Sequence, residues 1–190
     1  MPDNILVAGR PGSGKTTLVT SLAKRFAARG FKAGGFVTEE IREGPHRVGF
    51  RVRDLRGDTA VLAHIAYKGK QRVGKYGVDL AAFEGIAVPA LQAGKEEVDL
   101  LIVDEIGRME LLSRAFRDLL PTLLDAPLPL LATVLSGSDD FLADILSRDD
   151  VSLHVLRPTD REILVEVIDD SMSRILTDSW FSEEPEGGRR

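Results

Sequence analysis

The first feature of the chain is an unbroken apolar run, Ile5-Leu6-Val7-Ala8, that stops at Gly9. A run this short and this uniform predicts a strand buried on both faces. Beyond a glycine-rich turn, Leu18-Val19, Leu22-Ala23 and Phe26-Ala27 recur at helical spacing as far as Gly30. From Gly34 to about Ile65 the period changes to two, with Phe36, Phe50, Val52, Val61 and Ile65 among polar neighbours and turn residues at Glu43-Gly44-Pro45 and Arg56-Gly57-Asp58. That predicts a β-meander over residues 34–66. Asp79 is placed to cap a helix carrying Leu80, Phe83, Ala87, Ala90 and Leu91, bent at Pro89.

The second half repeats the strand-then-helix order. Leu100-Leu101-Ile102-Val103-Asp104 predicts a buried strand, and Met109, Leu112, Phe116, Leu119 and Leu123 a helix kinked at Pro121. Leu128 to Leu135 repeats the strand signal, Asp139-Asp140 open a short helix through Leu146, and Val151 to Leu156 predicts one more strand. Thr159-Asp160-Arg161-Glu162 has the form of a capping box before a last helix to about Leu176. Alternating apolar strands and helices imply an α/β architecture, a mainly parallel sheet covered on both faces, with the meander as an insertion or antiparallel edge. The expected organisation is one domain over residues 1–178 and a loose tail over 179–190, rich in Glu, Gly and Arg.

Composition narrows the function classes. The 190 residues carry a net charge of -5 and 43% hydrophobic residues, which suits a soluble globular protein and excludes disorder for most of the chain. A pI near 5.3 argues against binding nucleic acid through bulk positive charge. No apolar run approaches a membrane span, no targeting segment is evident, and there is no cysteine for a disulfide, a thiolate metal site or a thiol nucleophile. Cytoplasm is the default expectation, and nothing identifies a protein partner. The charge is uneven, however: Arg42, Arg47, Arg51, Arg53, Arg56, Lys68, Lys70, Arg72 and Lys75 face only Glu43, Asp54 and Asp58 in the same stretch. This basic island is either a solvated face of hairpin strands or a surface that meets phosphates.

Gly9-Arg10-Pro11-Gly12-Ser13-Gly14-Lys15-Thr16 fits G-x-x-x-x-G-K-[ST] between a predicted strand and a predicted helix, the context that gives this motif its meaning. Its glycines let successive N–H groups turn inward around phosphate oxygens at the positive end of a helix. Lys15 is expected to reach the β and γ phosphates, Thr16 to offer a hydroxyl to Mg²⁺, and Thr17 to follow in the same first turn. Asp104, ending a buried strand, is expected to hold Mg²⁺ through its water shell, and Glu105 to act as the base that orients an attacking water. Thr133, near the end of the next strand, is either a sensor of the γ-phosphate or a threonine favoured by β propensity. Arg10, Arg108, Arg114 and Arg161 are candidates to stabilise charge on the transferred phosphoryl group. His46, His64 and His154 show no ligand spacing.

With those residues in view, the chain resembles the small P-loop nucleoside-triphosphatase family known from thermophiles, which includes the cancer-related nucleoside-triphosphatase. The resemblance runs from Asn4 to about Ile168. It rests on Gly9 to Thr17, Gly35-Phe36-Val37-Thr38-Glu39, Arg47-Val48-Gly49-Phe50, Val73-Gly74-Lys75-Tyr76-Gly77-Val78, Phe83-Glu84 and the block Val103-Asp104-Glu105-Ile106-Gly107-Arg108-Met109-Glu110. It implies a three-layer, RecA-like P-loop fold in which another strand separates the loop strand from the acidic strand. It also implies Mg²⁺-dependent hydrolysis of ATP, GTP and other nucleoside triphosphates with weak base selectivity, diphosphates being poorer substrates. Nucleotide contacts then map onto Gly9 to Thr16 and onto Asp104, Glu105, Ile106, Gly107 and Arg108, with Arg161 near the base. Position 108 is arginine where the family commonly has lysine, and Arg157-Pro158-Thr159-Asp160-Arg161 follows its pattern loosely.

Two other readings use the same loop. A nucleotide or small-molecule kinase would pass phosphate to an acceptor and use the basic island as a lid that excludes water. A nucleotide-dependent binding module would bind triphosphate to order a partner surface.

Overall fold

The computed structural model describes residues 4–93, 97–135 and 140–181. The first apolar run forms β1 (Asn4–Gly9), buried along its whole length, and the glycine-rich turn leads into α1 (Lys15–Ala28). Then come β2 (Ala33–Glu43), β3 (His46–Asp54), β4 (Thr59–His64), β5 (Arg72–Val73), β6 (Tyr76–Val78) and α2 (Leu80–Leu91). The second half supplies β7 (Leu100–Ile106), a 3-10 turn (Glu110–Leu112), α3 (Arg114–Leu124), β8 (Leu130–Leu135), α4 (Asp140–Leu146), β9 (Val151–Val155) and α5 (Arg161–Phe181).

The nine described strands form one sheet in the order β5-β6-β4-β3-β2-β7-β8-β1-β9. From β2 to β9 every pairing is parallel, while β3, β4, β6 and β5 continue the sheet antiparallel on the far side of β2. Strand β8 lies between β1 and β7, the separation of loop strand from acidic strand that the resemblance implies. The antiparallel wing is therefore hydrogen-bonded to the central sheet through β2, and it extends beyond residue 66 to Val78.

Apolar side chains leave the two faces of the sheet separately, as strand alternation requires. One core joins Leu6, Val103 and Ala132 to α2 and α3; the other joins Ile5, Val7 and Ile102 to α1 and α5. Phe36, Phe83 and Phe116 meet edge to face with centroids 5.5 to 5.9 Å apart, fixing α2 and α3 over β2. On the opposite face Arg25 of α1 and Arg29, which caps its C-terminal end, converge on Asp169 of α5 at 3.2 and 2.6 Å. These contacts set the three-layer α/β fold expected from the pattern.

Several local expectations are corrected. Ile65 lies past β4 and is 43% exposed, because a bulge opposite Phe50 and Arg51 inserts Leu62 and buries both Leu62 and Ala63. The helix expected from Met109 begins only at Arg114: a 3-10 turn comes first, and the Ser113 hydroxyl caps α3 by accepting from the Phe116 N–H at 3.1 Å. Leu112 is accordingly 37% exposed. Pro89 and Pro121 sit in the last turns of α2 and α3, so each helix runs through its proline and ends soon afterwards. The capping box before α5 does not form as drawn. The helix starts at Arg161, and the Thr159 hydroxyl donates to Asp160 Oδ1 at 2.7 Å. Helix α5 continues past Leu176 to Phe181; Asp139 and residues 182–190 of the expected tail lie outside the described residues.

Gly35 shows how closely β2 and β7 are joined. Its φ is +99°, and a Cβ there would stand 2.0 Å from the Ile102 carbonyl oxygen, a backbone atom that cannot move aside. Gly35→Ala is expected to destabilise the fold by on the order of 3 kcal/mol or more, or to prevent folding, in a urea titration. A change within about 0.5 kcal/mol would contradict this account of the junction.

Candidate functional site

The site is built where the turn after β1 meets the end of β7. Gly12 and Gly14 have φ of +78° and +96°, and the Ser13 N–H closes the turn on the Arg10 carbonyl at 3.1 Å. No side chain caps the start of α1, so its first N–H groups point outward without an internal acceptor, as anion binding requires. Lys15 is the first residue of that helix and only 6% exposed. Its Nζ donates to the Gly9 carbonyl at 3.0 Å and pairs with Glu105 Oε2 at 3.1 Å. Pro11, Thr16 and Thr17 stand exposed around it.

Asp104 is fully buried at the end of β7. Because β8 runs beside β7, the Thr133 hydroxyl reaches across and donates to Asp104 Oδ1. Burial pushes the Asp104 carboxyl up from its ordinary range, and the hydroxyls of Thr133 and Thr16 oppose that push. Asp104 Oδ2 has no hydrogen-bond partner among the described residues. Thr133 thus sits beneath the site and holds Asp104, rather than lining the cleft. Ile106 is wholly buried in the core, which leaves only its backbone to face a nucleotide. Gly107 threads between two carboxyls: a Cβ there would lie 2.7 Å from Glu110 Oε2 and 2.9 Å from Glu105 Oε1.

Glu110 is the residue that pattern reasoning passes over. It is 5% exposed and lines the cleft beside Glu105. Burial pushes its carboxyl up to about 8; its own N–H and that of Gly107 pull the other way, and the charges of Glu105 and Asp104 add to the rise. Its sequence signal was its place at the end of the block Val103 to Glu110, with Gly107 small enough to fit between the two carboxyls.

The four candidate arginines separate. Arg108 is exposed, lines the cleft and makes no ion pair among the described residues. Arg161 lies at the other end of the loop, with Cδ and Nη1 at 3.5 and 3.6 Å from where a Gly14 Cβ would be, beside a second hollow shared with Thr17, Ser21 and Arg25. Arg10 is exposed on the loop. Arg114 is on the surface of α3, paired with Asp118 at 3.4 Å, and does not line the cleft. The histidines lie elsewhere: His64 Nδ1 accepts from the Ala66 N–H, and His154 is held below its ordinary pKa by burial.

The main cleft has a volume of about 620 Å³. One side is the turn, Lys15, Thr16 and Glu105; the other is the antiparallel wing, with Thr38, Glu40, Arg47 and Phe50. Among the described residues no group of three or more His, Asp or Glu has the arrangement of a metal cage. Mg²⁺ is held by few protein oxygens, because it keeps several waters and shares phosphate oxygens. The unpartnered Asp104 Oδ2 beside the Thr16 hydroxyl is the donor set such an ion would need.

Comparisons with known proteins place the chain among nucleoside-triphosphatases. Residues 4–168 match the family described as NTPase. The nucleoside-triphosphatase THEP1 of Thermotoga maritima is 43% identical over 164 residues, covering 86% of this chain and 92% of its own. The THEP1 of Pyrococcus abyssi is 45% identical over 130 residues, covering 67% and 72%. The crystal structure of THEP1 from Aquifex aeolicus superposes with a TM-score of 0.78 at 34% identity, covering 87% of this chain and 96% of that one. The solution structure of a human cancer-related nucleoside triphosphatase gives 0.76 at 31%, covering 90% and 97%.

The Glu110 carboxyl sets a stability profile. The folded protein keeps this proton up to about pH 8, whereas an unfolded chain releases it near 4.5, so between those values the native state binds more protons and stability falls as pH rises. Glu110→Gln, which keeps the neutral shape, is expected to remove that component, so that the variant loses less stability than wild type between pH 5 and pH 8 in thermal melts. Parallel profiles for the two proteins would show that Glu110 ionises as an ordinary carboxylate.

Proposed function

The chain belongs to the NTPase family, and from that footing we propose Mg²⁺-dependent hydrolysis of nucleoside 5'-triphosphates to diphosphate and phosphate, with broad base specificity and diphosphates as weaker substrates. That it is a nucleoside-triphosphate hydrolase follows from the family and from relatives named nucleoside-triphosphatase over most of their length. The observation that carries the finer reading is the 3.1 Å pair between Lys15 and Glu105. Lys15 is held within the phosphate-binding turn by the very carboxylate that would activate water.

The residues divide the work as follows. The N–H groups of Gly12, Gly14, Lys15 and Thr16 receive the phosphate oxygens at the start of α1. A terminal phosphate draws the Lys15 ammonium away from Glu105, and the released carboxylate orients a water and takes its proton as the water attacks the γ-phosphorus. Thr16 and Asp104 would hold Mg²⁺, which when bound neutralises charge on the β and γ oxygens. Thr133 keeps Asp104 oriented for that role, and Arg108 is placed to meet charge growing on the phosphoryl group. A diphosphate lacks the group that separates Lys15 from Glu105, which supports its being a weaker substrate. The nucleoside is assigned to the Arg161 side, where long side chains on α1 and α5 offer stacking and charge rather than a rigid set of donors for one base, in keeping with weak base selectivity.

Hydrolysis is favoured over phosphoryl transfer under a mobile lid because the basic island is bound into the sheet. Arg47 pairs with Glu40 at 2.6 Å and Arg53 with Glu39 at 2.8 Å, while Arg72 donates to the carbonyls of Tyr67 and Lys75. No helix among the described residues is long and apolar enough to cross a membrane, and a cytoplasmic location, where nucleoside triphosphates circulate, belongs to the same reading.

Phosphate release from ATP, GTP, CTP and UTP tests the reading directly. All four are expected to be hydrolysed, with Glu105→Gln retaining MgATP affinity and losing roughly 100- to 10,000-fold in kcat. An unchanged kcat would reduce Glu105 to a structural partner of Lys15. Asp104→Asn is expected to raise the Mg²⁺ concentration needed for half-maximal rate; an unaltered metal titration removes Asp104 from the metal site. Lys15→Ala is expected to lose triphosphate binding and turnover together, and normal binding by this variant would refute the assignment.

A further inference from the structure

On the proposed reading the triphosphate runs along the turn with its terminal phosphate toward Lys15 and Glu105, and the hollow beside Arg161 lies on one side of the turn. On the other side the cleft continues along Thr38, Glu39 and Glu40 of β2, Arg47 and Phe50 of β3, and Val73 of β5. This is the part of the basic island that faces inward.

Arg47 is fixed in that wall by three contacts. Its Nε donates to the Tyr76 hydroxyl at 3.1 Å, its Nη1 to Glu40 Oε1 at 2.6 Å, and its guanidinium carbon lies 4.9 Å from the centroid of Phe50. Holding a long side chain still costs rotamer entropy, and a merely solvated arginine has no need of three anchors. Its Nη2 has no hydrogen-bond partner among the described residues, and the side chain stays 40% exposed toward the cleft. On this wall Arg47 lines the cleft with Glu39 and Glu40, and from the opposite side Arg108 lines it without an ion pair among the described residues. Burial raises the Glu40 carboxyl, but Arg47 and Arg42 outweigh it and hold the group below the usual range. The ion pair that orients Arg47 therefore persists at neutral pH.

We propose that Arg47, set against Phe50 and Tyr76, forms a second phosphate subsite that takes a phosphate dianion or a small phosphomonoester while a nucleotide occupies the turn before α1. The free Nη2 of Arg47 and the Arg108 guanidinium receive the phosphate oxygens. Phe50, Val73 and Met109 supply apolar surface for the organic part of a monoester. Two sources share this chemistry: the phosphate released by hydrolysis, and a nucleoside monophosphate lying beyond Glu105. The inference rests on the reading that the triphosphate runs along the turn with its terminal phosphate toward Glu105.

The test uses the full chain loaded with Mg²⁺ and a β,γ-imido analogue of ATP, titrated calorimetrically with inorganic phosphate in one arm and AMP in the other. One further saturable site is expected, with Arg47→Met weakening it at least about tenfold and leaving analogue affinity unchanged. Tyr76→Phe, which only loosens Arg47, is expected to weaken it less, and carries the test if Arg47→Met does not fold. Tighter binding of phosphate identifies a product site; tighter binding of AMP identifies a monoester site. No further binding to the loaded protein, or equal binding by wild type and variants, overturns the proposal. Failure of the analogue itself to bind instead overturns the triphosphate reading and takes the subsite with it.

Discussion

A lysine ammonium buried at the first residue of a helix is an electrostatic problem that the rest of the site is arranged around. The N-terminal end of α1 is already positive, so it repels the cation placed there, and burial removes the water that would compensate it. Lys15 is balanced by the Gly9 carbonyl behind it and Glu105 beside it. Both partners come from strand ends, β1 and β7, whose relative position the sheet holds rigid. An incoming polyphosphate is a better counter-ion than one carboxylate, so under the proposed mechanism the exchange would leave Glu105 free when substrate is in place, and binding would activate the base.

The second constraint is the crowding of acids at the end of β7. Asp104 and Glu110 are buried beside the partly exposed Glu105, and three carboxylates so close would not all stay ionised without help. Each meets the constraint differently. Glu105 takes Lys15 as its partner, Asp104 takes the hydroxyls of Thr133 and Thr16, and Glu110 keeps its proton up to about pH 8. Three similar side chains within seven residues thus acquire an ion-paired, a hydroxyl-bonded and a neutral character from their surroundings alone.

The antiparallel wing gives the cleft its far wall. Because β2 pairs with β7 on one edge and β3 on the other, the wing is continuous with the strand that carries the acids and stands at a fixed distance from them. Arg47 and Arg53 are tied to Glu40 and Glu39 of the adjacent strand, which makes the wing a rigid boundary rather than a cover that closes over substrate. A rigid wall suits an enzyme that admits water to its γ-phosphate.

The chemistry of the turn was legible because it is local: glycines at 12 and 14, a lysine and a threonine between a buried strand and a helix carry their meaning within eight residues. The parallel sheet, and Asp104 at a strand end, were legible for the same reason, since an apolar run bounded by turns needs no partner to be recognised. Where two elements shared one hydrophobic pattern, the reading failed: Met109 and Leu112 continue the period of α3 but belong to a separate turn, and Ile65 continues the period of β4 past a bulge. Arg114 looked as eligible as Arg108, because spacing cannot say which arginine faces a cleft. The bond from Thr133 to Asp104, the neutral state of Glu110 and the anchoring of Arg47 depend on which strands are neighbours and how much water is excluded between them. Sequence alone determined which groups the protein possesses and the local geometry that a few glycines permit. Only the tertiary structure decided their charge states and partners, because burial and Coulomb interaction act through space between residues that lie far apart along the chain.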